Sequence, residues 1–228
     1  MPRLRLPNLL SPRRLAPFLV GAGLLLGFTV VIGVGRLPFG GRATALAGTS
    51  LGEQRAPDFR LTDATGAPVS LASLRGKAVA LTFIYTSCPD ICPLTAEKFR
   101  EVHDQLGIDA NRVALVAITV DPETDTPQRI AQYSQEMNLD GKWSFLTGSR
   151  TELAPVWSSY YVEPLTTEQA LEIVSQGTGT AKANPAFQAA HSLAVYVIDP
   201  QGRERSLLGP DFAPADLTHD LRVLTTGA

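Results

Sequence analysis

The sequence predicts an α/β sandwich with an extra β-hairpin at its amino end, preceded by one transmembrane helix. Three observations carry that reading. Lys77 to Tyr85 (KAVALTFIY) and Arg112 to Val120 (RVALVAITV) are near-continuous apolar runs, the pattern of strands covered on both faces. Helical stretches with recognisable start and stop signals alternate with these runs. Leu15 to Gly35 holds 21 residues without a charge, enough for a helix to cross a hydrocarbon core of ~30 Å.

Taken in order, the elements begin with a basic amino terminus. Arg3, Arg5, Arg13 and Arg14 precede the apolar run, so residues 1–14 are expected in the cytoplasm and everything beyond Arg36 outside it. A signal-peptide core is shorter, roughly 7–15 residues, and a retained anchor over residues 15–35 is the expectation. Two rivals stand beside it: Ala45-Leu46-Ala47 resembles a signal-peptidase site, and Arg13-Arg14 could belong to a twin-arginine export signal. So short a stretch ahead of the span leaves little room for a transit peptide, which points to a bacterial inner membrane with the carboxyl-terminal domain in the periplasm or outside the cell. Residues 36–55, rich in Gly, Ala, Thr and Ser, read as a linker, and residues 56–228 as one domain.

Within that domain, Phe59 to Leu71 alternates around a Thr-Gly turn and reads as a hairpin. The run from Lys77 is followed by a helix over Pro93 to Leu106, with Pro early and Gly107 as its stop. After the second buried strand, Thr126-Pro127 opens a helix ending near Asn138. Trp143 to Leu146 is a short strand and Thr151 to Tyr160 a helix. Residues 163–190 are polar and Gly/Ala/Thr-rich, read as an inserted loop with a weak helix. Ser192 to Ile198 is a strand, Asp199 to Gly202 a turn, Glu204 to Leu208 its antiparallel partner, and Ala215 to Leu224 a closing helix. This order is that of a thioredoxin-like sandwich, in which chemistry sits beyond the carboxyl ends of the strands.

Charge removes one class of function. Residues 1–47 hold six arginines and no acid, so the remainder carries 14 basic against 22 acidic residues, a formal charge of −8. Nucleic acid needs a basic footprint, and none is present.

The two cysteines carry the chemistry. Cys88 and Cys92 lie between an apolar strand and a helix, where unpaired amides and the helix dipole favour thiolate over thiol. At a spacing of i, i+4 the sulfurs are expected one helical turn apart, within reach of one soft ion or of each other. Thiolates select Cu(I) or borderline Zn(II). A structural disulfide would close only about five residues, worth roughly 2 kcal/mol, which a domain with this much core does not need. A third ligand would be neutral, and the chain has three histidines. His103 is about 16 Å along the helix from Cys92 and cannot share its ion. His219 reads as a solvated residue of the last helix. His191 opens the strand from Ser192 and can approach the same sheet edge, although a histidine in that position is more often a cap or a surface residue.

Tyr85-Thr86-x-Cys88-Pro89-Asp90-Ile91-Cys92-Pro93, then Val120-Asp121-Pro122-Glu123-x-Asp125-Thr126-Pro127, then His191-Ser192 before a strand ending Asp199-Pro-x-Gly202, resembles the Sco/SenC family of membrane-anchored copper chaperones. The resemblance runs from about Pro57 to Leu224. It implies Cu(I) or Cu(II) held by Cys88, Cys92 and His191, and delivery to the dinuclear copper centre of cytochrome c oxidase subunit II or to its assembly factors. It also implies a redox-active Cys88–Cys92 disulfide and a supporting role for Asp90 and Asp121. For Asp121-Pro122, plain turn chemistry competes with that role. Many relatives carry Asp before the histidine; this chain has Ala190. The alternative class is an enzyme of the same fold, a thiol–disulfide oxidoreductase or thiol peroxidase. Against it stand the CxxxC spacing and the lack of an arginine that sequence can place beside Cys88. A copper-sensing module would share every motif.

Overall fold

Residues 45–162, 164 and 194–226 are described in the computed structural model, and they form one mixed sheet of eight strands. In chain order these are β1 (Thr49–Ser50), β2 (Arg60–Asp63), β3 (Pro68–Ser70), β4 (Ala78–Ile84), β5 (Val113–Thr119), β6 (Ser144–Thr147), β7 (Val195–Ile198) and β8 (Glu204–Leu208). The spatial order is β1-β8-β7-β4-β5-β6-β2-β3. Four α-helices join them among the described residues: α1 (Ile91–Leu106), α2 (Pro127–Glu136), α3 (Arg150–Ser159) and α4 (Pro214–Thr226).

The two apolar runs form the centre. Every residue of β4 is buried, and β4 pairs in parallel with β5 from Ala78↔Val113 to Ile84↔Thr119. β6 continues the parallel set, while β7 runs antiparallel to β4, and β8 to β7. Right-handed crossovers β4–α1–β5 and β5–α2–β6 place α1 and α2 on one face. That face carries the aromatic contacts of Tyr133, Trp143, Phe145 and Phe99. The register puts Phe83 on the opposite face from Phe145, where it meets Tyr160 and Tyr196.

Local signals explain the element ends. Gly66, at φ +83°, makes the hairpin turn that a side chain would strain, and its amide donates to the Asp63 carbonyl at 3.0 Å. Thr126 caps α2 by accepting from the Arg129 amide at 3.2 Å, with Pro127 following. Ser149 and Glu152 form a reciprocal capping box at the start of α3.

Part of the expected linker belongs to the sheet. Thr49 and Ser50 pair with Leu207 and Ser206 of β8, and the Glu204 amide donates to the Gln54 carbonyl at 2.8 Å. The buried carboxylate of Asp220 holds this segment, accepting from the amides of Ala47 at 2.6 Å and Gly48 at 3.2 Å and from the Ser206 hydroxyl at 2.7 Å. The expected anchor over residues 15–35, the loop over 163–190 and His191 lie outside the described residues, save for Pro164, which is half-buried. Among the described residues no helix is long and apolar enough to cross a membrane.

Candidate metal centre

β4 ends at Ile84, and the chain turns at once: the Cys88 amide donates to the Tyr85 carbonyl at 3.4 Å. Pro89 disfavours helical backbone at Cys88, so α1 begins only at Ile91. Pro93 falls in the first turn, where its missing N–H has no intrahelical role. The sulfurs therefore do not sit on adjacent turns of one helix, as the spacing suggested. Cys88 lies in the loop, and only Cys92 is helical. Asp90, at the cap position, makes no side-chain capping bond. Instead the Cys92 amide donates to the Cys88 sulfur at 3.4 Å, so the Cys88 sulfur serves as the acceptor for the helix start.

This arrangement makes the pair unequal. Both cysteines are free thiols, Cys88 5% exposed and Cys92 fully buried. A hydrogen bond from the Cys92 thiol, with further ones from the Asp90 and Cys92 amides and the Tyr85 phenol, outweighs burial and draws Cys88 down to about 6. Burial pushes Cys92 up, and the neighbouring Cys88 adds to that shift. The surroundings thus favour thiolate at Cys88 and thiol at Cys92.

A buried network fixes the thiol loop to the end of β5. Asp125 accepts from the Thr86 amide at 3.0 Å, from the Thr86 hydroxyl at 2.5 Å and from the Thr119 hydroxyl at 2.5 Å. Burial raises Asp125 to about 6 against those bonds. From α2, Arg129 donates to the Thr86 carbonyl at 3.4 Å. This guanidinium meets the thiol loop two residues before Cys88, a contact the sequence could not place. Glu123 pairs with Arg150 at 2.7 and 2.8 Å, and Arg150 lies 5.6 Å from the Trp157 ring centre.

The remaining predicted residues divide. Asp90 is exposed, and its amide rather than its carboxylate serves Cys88. Asp121 is buried at the end of β5, and burial raises its pKa. The Thr124 hydroxyl and amide oppose that shift without meeting ordinary hydrogen-bond geometry. His103 faces Asp104 at 3.4 Å on the exposed side of α1, and His219 lies on α4. His191 is outside the described residues, and among those described no third His, Asp or Glu joins the cysteines as a ligand cluster. Sequence reasoning missed Thr86, Thr119 and Asp125. Thr86 and Asp125 stood in the first and second motifs without a role, because nothing in their spacing linked them.

A thioredoxin-like sheet with a buried, chemically unequal thiol pair at the start of its first long helix defines the class: a thioredoxin-like thiol protein. The SCO1/SenC family model matches residues 47–226, and the chain belongs to that family. The mitochondrial SCO2 homologue of Bos taurus is 34% identical over 163 residues, covering 71% of this chain and 55% of that protein. The match thus spans just over half of that relative's length. The copper-bound structure of Bradyrhizobium japonicum ScoI is similar at 30% identity and a TM-score of 0.59, covering 75% of this chain and 99% of that one. Copper-bound ScoI of Arabidopsis thaliana is similar at 28% identity and a TM-score of 0.57, covering 75% and 98%.

Proposed function

We propose that this chain is a membrane-anchored copper carrier of cytochrome c oxidase assembly. It takes Cu(I) or Cu(II) on Cys88, Cys92 and His191 and hands it to the dinuclear copper centre of oxidase subunit II or to an assembly factor. The observation that carries the reading is the pair of free, buried thiols at the carboxyl edge of the sheet, joined by the Cys92 amide to the Cys88 sulfur, in a family whose relatives include copper-bound structures. Topology supports the third ligand. β7 runs antiparallel to β4, so the described chain resumes at the edge where β4 ends, with the Ala194 carbonyl accepting from Thr82 at 3.4 Å. Two residues lie between His191 and Ala194, so three steps along the chain allow a reach of up to about 10 Å. In the proposed anchor, residues 15–35 span a bacterial inner membrane and the domain lies outside the cytoplasm.

Copper is cargo in this reading. Two sulfurs hold a soft ion tightly, and a site of low coordination number lets an acceptor thiolate bond to the ion before Cys88 or Cys92 leaves it. Binding releases the Cys92 proton, which couples loading to pH. Oxidation of the emptied pair to a disulfide would block reloading until two electrons return it to the dithiol.

Anaerobic titration of the full chain in detergent should take up one equivalent of Cu(I). His191→Ala should weaken Cu(II) binding at least about tenfold with the fold intact. Equal affinity in the two proteins would remove His191 from the site. A second reading, a thiol peroxidase or thiol–disulfide oxidoreductase, draws support from the lowered Cys88 and from Arg129 on its loop. Rapid peroxide consumption with thiol recycling, and no copper retained in competition with a chelator, would favour it.

A further inference from the structure

The sheet is incomplete along one side of β5. β4 pairs with β5 from Ala78↔Val113 onward, but the ladder between β5 and β6 begins only at Val116↔Ser144. Val113 to Leu115 therefore lack a strand neighbour on the β6 side. Successive residues of a strand turn their peptide groups to opposite sides, so at least one N–H of this stretch faces no strand. A cavity of about 280 Å³ occupies that place, bounded by the last turn of α1, the 3₁₀ turn Gly107–Arg112 and the start of β6. Lys77, Lys142, His103 and Asn111 line it, and no Asp or Glu does. Lys142 Nζ and His103 Nδ1 both stand 3.4 Å from the same oxygen of Asp104, so the two groups are neighbours. Asp104 also accepts from Arg100 at 3.3 Å, and one carboxylate is thus shared among three nitrogen groups. Lys77, exposed just ahead of β4, forms no ion pair among the described residues. Positive charge is in excess at this spot, in a domain whose formal charge is −8.

We propose that this cavity binds a phosphate group, held by the Lys77 and Lys142 ammonium groups and by the open peptide N–H of β5. Each ammonium is a compact charge with three donors, which suits the several acceptor oxygens of a phosphate. An open sheet edge adds fixed peptide dipoles that favour an anion. The site stands apart from the thiols. Lys77 precedes β4 and the thiol loop follows it, on the order of 25 Å along the strand. The proposal is therefore independent of the copper reading. The phosphate has two sources with the same chemistry, the free ion and the headgroup of an anionic lipid.

The test has two arms, both on the full chain. Inorganic phosphate is titrated into the protein in detergent and followed by calorimetry. Hydrogen exchange is then measured in nanodiscs of phosphatidylglycerol or of phosphatidylcholine. Wild type is compared with the double variant Lys77→Gln/Lys142→Gln and with Asp104→Asn. Free phosphate as the ligand gives saturable binding of one equivalent in detergent and the same exchange in both nanodiscs. A lipid headgroup gives protection of residues 107–115 in phosphatidylglycerol alone. In the arm that responds, the double variant should weaken binding at least about tenfold, because two charge-assisted hydrogen bonds are lost. Asp104→Asn should tighten it about two- to fivefold, because Lys142 is released from a competing carboxylate. Misfolding cannot mimic that gain. No response in either arm would overturn the proposal. So would a response that the double variant keeps in full, or an Asp104→Asn protein that binds no more tightly than wild type.

Discussion

At the residue scale, what matters is that two identical side chains four positions apart have been made different. Pro89 keeps Cys88 out of the helix, which turns its sulfur into the acceptor for the Cys92 amide, and burial keeps the second proton on Cys92. Alkylation of the reduced, metal-free protein should therefore modify Cys88 with a pH midpoint of about 6 and leave Cys92 unmodified in the folded state. Peptide mass spectrometry after an iodoacetamide pulse checks both; equal labelling at the two positions would contradict the geometry. Asp125 is the residue that holds this arrangement. Asp125→Ala leaves the Thr86 amide and two hydroxyls without their acceptor and should cost about 2–4 kcal/mol in denaturant unfolding, with copper binding weakened as the thiol loop loosens. The cysteines were legible in the sequence because their type and position limit them to few chemistries. The link from Asp125 to Thr86 was not, because it joins residues 39 positions apart and no local pattern encodes it.

At the scale of elements, legibility followed locality. β4 and β5 declared themselves by uninterrupted apolar runs, and α2 by its Thr126-Pro127 start. The hairpin was legible from its alternation around the Thr-Gly turn. What composition could not show was β1, a two-residue strand in a stretch of Gly, Ala, Thr and Ser. Nothing local makes Ala47 to Ser50 a strand. A carboxylate more than 170 residues later does so, by accepting from two of its amides. The close approach also requires Gly48, where a Cβ would meet the Leu207 carbonyl oxygen and the Ser206 Cβ at 3.0 Å. Asp220→Ala should release this strand from β8 and leave the Ser206 hydroxyl unpaired in the core, costing about 2–4 kcal/mol. Hydrogen exchange should then show protection lost at residues 47–51 and retained in β4 and β5. Protection lost uniformly would mean that the segment is part of the central cooperative unit.

For the whole molecule, the buried ionisable groups around the thiols set how stability responds to pH, and their shifts run in opposite senses. Asp125 has a folded pKa raised from 3.8 to about 6, so its proton is held more tightly in the folded state. Its contribution is complete below 3.8 and is lost as pH rises to about 6. Asp121 and Glu204, both raised by burial, act in the same direction. Cys88 has a folded pKa lowered from 9.0 to about 6, so its contribution is present above 9.0 and is lost as pH falls toward 6. Cys92 is raised, and it removes stability once pH passes the ordinary thiol value of 9.0. The reduced, metal-free protein should therefore be least stable near pH 6, gain stability toward pH 9 and lose it again beyond. Carboxylates with lowered values, such as Asp63 and Glu123, are mostly exposed and act below this window. Denaturant titration under reducing, anaerobic conditions at half-unit pH intervals checks the profile. Cys88→Ser supplies the decisive comparison, because it should abolish the rise above pH 6 and leave the fall below it intact. A rise that persists in Cys88→Ser would place the titration elsewhere and would remove the physical basis for treating Cys88 as the thiolate that first meets the metal.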